Sequence, residues 1–140
     1  SELLDESASF LKRRLTPQNA IAAHLFCLSL GYTSIQQVTL RFIQKHFVVI
    51  SNTDDFLEID LDDVMFILNR DELYVDAEEQ VFHAAMRWIQ HDPRRKKFAP
   101  KLLSCVRLPL LRPSFLSDSV AEHDVLKEDI ACRDLVDEAK

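Results

Sequence analysis

Gly31 is the only glycine in a chain of 140 residues. Average usage of about 7% would supply roughly ten. Tight hairpins and sandwich corners depend on glycine, because it alone reaches positive φ without steric cost. A β-rich fold is therefore disfavoured, and so is any glycine-rich loop cradling a phosphate. Apolar residues make up 47% of the chain and charged residues 29%, the balance of a globular protein long enough to bury a core.

The apolar spacing is helical nearly throughout. Leu3, Leu4, Ala8, Leu11 and Leu15 define a first helix, which Thr16-Pro17-Gln18-Asn19 breaks because proline cannot continue the hydrogen-bond ladder. A second helix is expected over Asn19–Leu30, stopped by Gly31 as a C-terminal cap. A third, capped by Thr33 or Ser34, carries Ile35, Val38, Phe42 and Ile43 towards Phe47. These pieces form a helical lead-in over residues 1–50, and residues 51–140 complete the domain. Ser51-Asn52-Thr53-Asp54 reads as a loop of cap-forming residues, followed by a short helix over Leu61–Leu68. A long helix opens at Asp76, with Glu79 three residues on as the return partner of a capping box, and runs to about His91. Asp92-Pro93 starts a further helix reaching about Cys105. Pro109 and Pro113 keep "VRLPLLRPSFL" extended or turning. Two short helices follow, near Ser114–Val120 and Asp129–Lys140. The fold class expected is all-α: one domain of antiparallel helix pairs.

The stretch "DELYVDAEEQVFHAAMRWIQHD", Asp71 to Asp92, holds paired glutamates, two histidines and the only tryptophan. Val81, Phe82, Ala85, Trp88 and Ile89 make a broad apolar stripe, so Trp88 is expected in the core. Glu78 and Glu79 lie in the first helical turn, where negative charge suits the helix dipole. His83 and Arg87 fall off the stripe and are expected at the surface. His83 and His91 are eight residues apart, too far to share a metal from a straight helix. The acidic run "EIDLDD", Glu58 to Asp63, lacks the turn glycine and distal glutamate of a calcium loop. Cys27, Cys105 and Cys132 form no CxxC pair and sit among apolar residues, as inert reduced thiols do. His24, His46 and His123 have no nucleophile or carboxylate at a recognisable spacing. No catalytic residue, metal site or cofactor is expected.

Net charge is 17 − 23 = −6, the wrong sign for a general nucleic-acid binder. The basic run Arg94-Arg95-Lys96-Lys97 reads as a solvated helix face. Nothing at the N-terminus has the form of a signal peptide. No apolar run approaches the roughly 20 residues that span a bilayer. Reduced thiols and the missing leader fit a cytoplasmic or nuclear location.

One helix exceeds what a core needs. Across Asn19–Leu30 only His24 and Ser29 interrupt an almost unbroken apolar run, whereas a surface helix carries a polar face. Such a helix is either central in the domain or touches a partner.

Three signatures, "DELYVDAEEQVFHAAMRWIQHD", "VRLPLLRPSFL" and "CRDLVDEA", resemble the BACK domain of BTB–Kelch proteins. Phe10-Leu11, Leu15, Pro17 and Asn19 are similar to the family's opening "FL…L.P.N", and Phe47, Phe56-Leu57 and Leu61 to its "F…FL.L" stretch. Ala20 departs from the cysteine often found after that Asn, and Gly31-Tyr32 from a more polar turn. The resemblance implies an all-α fold and a non-catalytic role in adaptors of cullin-3 ubiquitin ligases. In those proteins the BTB domain dimerises and docks the cullin, and a Kelch propeller holds the substrate. BACK connects the two, and its N-terminal hairpin, the 3-box, offers a groove to the cullin's N-terminal extension. Neither a BTB domain nor a propeller is expected within these 140 residues. Helix phase puts Leu25, Leu28 and Tyr32 along one stripe of this chain and Ala22, Phe26 and Leu30 along another; the groove is expected on Leu25, Leu28 and Tyr32, with Phe26 turned inward. A second reading is an all-α regulatory or ligand-binding domain, marked by an enclosed cavity with convergent polar groups in place of an open apolar face.

Overall fold

A computed structural model describes residues 2–69, 73, 75 and 77–140. The fold is all-α, with no strand among the described residues. The chain divides into two compact units, one holding the elements up to Ile59 and the other those from Asp60 onward.

The first unit opens with α1 (Glu2–Arg14), α2 (Ala20–Leu30) and α3 (Thr33–Lys45), followed by the short α4 (Phe47–Ile50) and α5 (Asp54–Glu58). The break between α1 and α2 is a reciprocal clasp. Asn19 Oδ1 accepts from the Thr16 amide at 2.8 Å, Thr16 Oγ1 accepts from the Asn19 amide at 3.2 Å, and Asn19 Nδ2 donates to the Arg14 carbonyl at 2.9 Å. Pro17 fits here because the turn asks nothing of its missing N–H. At the other end of α2, Gly31 adopts φ 72° and ψ 19°. Its amide donates to the Leu28 carbonyl at 3.1 Å and the Tyr32 amide to the Cys27 carbonyl at 3.3 Å, the paired bonds of a Schellman stop. A Cβ at Gly31 would meet open space, so it is the left-handed backbone alone that selects glycine.

That stop leads directly into α3. Tyr32 occupies the cap position without a side-chain bond, so the expected cap at Thr33 or Ser34 gives way to a cap made by the backbone turn. Both residues lie inside the helix. α3 packs on α1 and on α2. Ile21, Leu40, Ile43, Phe47, Ile50 and Phe56 fill the centre, with Phe47 and Phe56 edge to face at 6.2 Å. Thr53, in the expected loop of cap-forming residues, accepts from the Phe56 amide at 3.3 Å and starts α5, a helix the apolar spacing did not announce.

The second unit begins with α6 (Leu61–Leu68), whose bounds match the expected ones. Asp60 Oδ1 caps it by accepting from the Asp63 amide at 2.9 Å. The main helix, α7 (Glu78–Gln90), is shorter than expected, with Ala77 at the cap position; the capping box assigned to Asp76 lies outside the described residues. A 3₁₀ segment (Pro93–Phe98) follows, started by Asp92, which accepts from the Arg94 amide at 2.9 Å. Then come α8 (Ala99–Ser104), a 3₁₀ turn (Leu108–Leu110), α9 (Pro113–Phe115) running into a π turn (Leu116–Val120), and α10 (Ile130–Ala139). α8 packs against α7 and α10. Trp88 is 1% exposed, as expected of the core.

Candidate functional site

The acidic pair that opens α7 ties down a distant segment of its own unit. Glu78 Oε1 accepts from the Arg107 amide at 2.7 Å. Glu79 Oε1 accepts from the Arg112 amide at 3.4 Å and lies 3.5 Å from Arg112 Nε. The two glutamates thus bracket the proline-containing stretch at its ends, while the Leu110 and Leu111 amides between them donate to the Arg107 and Leu108 carbonyls. Burial raises the Glu78 pKa, the Arg107 amide opposes that, and the Glu79 charge adds to it. Glu79 sits below its ordinary range because backbone amides, including that of Arg112, and the Arg112 guanidinium outweigh its desolvation.

Neighbouring candidates also take structural roles. His83 is exposed as expected, its ring edge-on to Phe82 and Phe115 at 5.7 and 5.6 Å. Arg87, expected at the surface, is half-buried, and burial lowers its pKa. Of the basic run, Arg94 pairs with Asp92 at 2.7 Å. Arg95 lies 4.0 Å over the Trp88 ring and donates to the Trp88 carbonyl at 2.7 Å. Cys27, Cys105 and Cys132 are buried free thiols. Burial raises the pKa of each, that of Cys132 to about 12 with Asp129 adding to the effect. None has the thiolate character that nucleophilic or metal chemistry requires. Among the described residues no group of three or more His, Cys, Asp or Glu could hold a metal.

α2 is different. Its inward face is Ala20, Ile21, His24 and Cys27. His24 is only 6% exposed, and Thr39 of α3 is fully buried opposite it. Thr39 Oγ1 donates to the Gln36 carbonyl at 2.9 Å, which leaves the His24 Nδ1–H to donate to Thr39 Oγ1 at 2.7 Å. Burial lowers the His24 pKa, so the ring is held neutral and acts as a core polar pair. This pair sets the rotation of the helix. The face opposite His24 then points outward, which corrects the inward placement of Phe26: its ring is 64% exposed. Leu28, Leu30 and Tyr32 are exposed as well, and Leu25 is half-buried.

Four large apolar side chains therefore stand at the surface within seven residues, Phe26 to Tyr32. No Asp, Glu, Lys or Arg lies anywhere between Arg14 and Arg41. Apolar spacing could not have found Phe26 and Leu30 as surface residues, because apolar residues ring α2 on every side and carry no phase. The usable signal was the reverse one: the single polar residue mid-helix, His24, facing a Thr on the next helix. A hollow of about 380 Å³ lies in the second unit beside α10 and is rimmed by charges of both signs, among them Glu122, Lys127, Arg133 and Asp137.

The family model BACK, described as BTB And C-terminal Kelch, matches residues 20–121, from the first residue of α2 to just past the π turn.

Proposed function

The chain belongs to the BACK family, and from that footing we propose that it is the non-catalytic linker and scaffold module of a BTB–Kelch substrate adaptor for a cullin-3 ubiquitin ligase. BACK is an adaptor-type domain that serves protein–protein interaction in the BTB–Kelch context. In this reading residues 1–140 act as one module. Residues 1–50 supply the 3-box-like hairpin that meets the cullin's N-terminal extension, and the remainder positions a substrate-binding propeller. A BTB domain supplies the main cullin contact and the homodimer, and the work is done in the cytoplasm or nucleus.

The observation that carries the reading is the exposed apolar face of α2 and its stop, Phe26, Leu28, Leu30 and Tyr32. Several large apolar side chains left exposed within two turns of a helical hairpin mark a protein contact. The helix-in-groove and strand-addition modes both rest on a few such anchors.

The test is calorimetry of a protein carrying BTB and BACK domains against cullin with and without its N-terminal extension. Leu28→Ala and Tyr32→Ala should each cost about 1–2 kcal/mol of binding, and only when the extension is present. Equal affinities with and without the extension would remove the hairpin from the contact. A loss confined to Phe26→Ala or Leu30→Ala would keep the contact but move it to the neighbouring stripe.

A further inference from the structure

A second surface of the first unit, on different helices, has a charge pattern of its own. From Ser7 to Thr53 the chain has no Asp or Glu, while Lys12, Arg13, Arg14, Arg41 and Lys45 give it +5; the rest of the chain must then carry −11 to reach the net −6. Segregation on this scale points to a partner of opposite charge.

The cations converge on a hollow. Between the last turn of α1 and the C-terminal half of α3 lies a groove of about 320 Å³. Its floor is apolar: Leu15, Val38 and Phe42. Its rim is Lys12, Arg41 and Lys45, all exposed, with the His46 ring tilted against Phe42 at 4.3 Å. No carboxylate lines it, and none of the ion pairs among the described residues engages a rim cation.

The ordinary explanation is that cations settle near helix C-termini because they oppose the helix dipole. That covers Lys12 in the last turn of α1 and Lys45 in the last turn of α3. It does not cover Arg41, the apolar floor, or 47 residues without a carboxylate.

We infer that this groove docks an acidic, amphipathic segment of a partner protein. A large apolar side chain of the segment enters between Val38 and Phe42, and flanking carboxylates face Lys12, Arg41 and Lys45. Electrostatic complementarity supplies encounter rate and orientation, and the apolar floor supplies residence. A nucleic acid fits less well, because phosphates gain nothing from the apolar floor and meet a chain of net −6. A membrane fits less well because an anionic lipid surface meets a chain of net −6. None of these residues lies on α2, so the inference stands or falls apart from the proposed cullin contact.

Fluorescence anisotropy of the 140-residue chain tests it, using a short labelled peptide in which Phe and Leu alternate with Asp and Glu. Binding is expected to weaken with salt. It should fall on the order of tenfold or more in the combined variant Lys12→Glu, Arg41→Glu, Lys45→Glu. These side chains are exposed, so an unchanged circular dichroism spectrum and melting midpoint keep the comparison interpretable. The single change Arg41→Gln gives a milder second reading of the same contact. A peptide with Ser in place of Phe and Leu should bind at least tenfold more weakly, which separates the groove from charge alone. The inference is overturned by no binding of the acidic peptide or by affinity indifferent to the rim changes. It is also overturned if an oligonucleotide or an anionic vesicle binds as tightly, or if a self-associated chain falls apart in the rim variant, showing that a second copy is the occupant.

Discussion

Trp88 and His24 show two ways in which one side chain holds a helical core. Trp88 buries its ring and receives the Arg95 guanidinium 4.0 Å above its face. Trp88→Ala should lower unfolding free energy by about 3–5 kcal/mol in denaturant melts. A loss below about 1 kcal/mol would mean that the ring contributes no more than a surface residue does. His24 is polar and works only while neutral. Burial depresses its pKa below the ordinary 6.5. Its contribution is therefore fully present above about pH 6.5 and is lost as the pH falls through the lowered folded value, because the unfolded chain takes up the proton first. The urea midpoint should drop between about pH 7 and pH 5, and the drop should be smaller in His24→Gln. His123 shifts in the same direction, chiefly through burial, so the difference between variant and wild type, not the raw slope, isolates His24. An equal slope in both proteins would show that His24 binds its proton equally well folded and unfolded, and would remove burial of the neutral ring as a source of stability.

At the scale of elements, what was legible in the sequence was whatever is decided locally. The bounds of α6 follow from Asp60 as cap and from apolar spacing over eight residues. The end of α2 follows from one glycine with φ 72°. The resemblance carried by the α7 and proline-containing signatures placed the whole arrangement in its family. What local patterns could not supply was any feature decided by a partner far along the chain. The rotation of α2 depends on a bond between residues 15 apart, His24 and Thr39. The Glu78 and Glu79 contacts span 29 and 33 residues, so their spacing beside a helix start revealed only the dipole role. That longer role is testable. Glu78→Ala removes the acceptor of the Arg107 amide and should cost about 1–3 kcal/mol. Glu78→Gln keeps a carbonyl acceptor while discarding a charge that burial and Glu79 both oppose, and it should be close to neutral. Faster amide exchange at Arg107 in the Ala variant alone is the matching signature, and equal losses in both variants would mean that the charge, not the acceptor, holds the segment.

Taken over the whole molecule, the three thiols have a use that their inertness hides. Each is buried, unpaired with another sulfur, and held protonated by burial. A thiol in that state reacts with a labelling reagent only after the surrounding structure opens. Cys27 belongs to the first compact unit, and Cys105 and Cys132 to the second. The chain thus carries a built-in clock for each unit. Single-cysteine versions, with Ser at the other two positions, should label slowly, and at rates that rise together with denaturant if the units open as one. Separate denaturant slopes for Cys27 and Cys132 would instead reveal two independent openings. Under the role proposed above, a linker between neighbouring domains, that distinction is mechanical: a body that opens in one step behaves as a strut, and one that opens in two behaves as a joint.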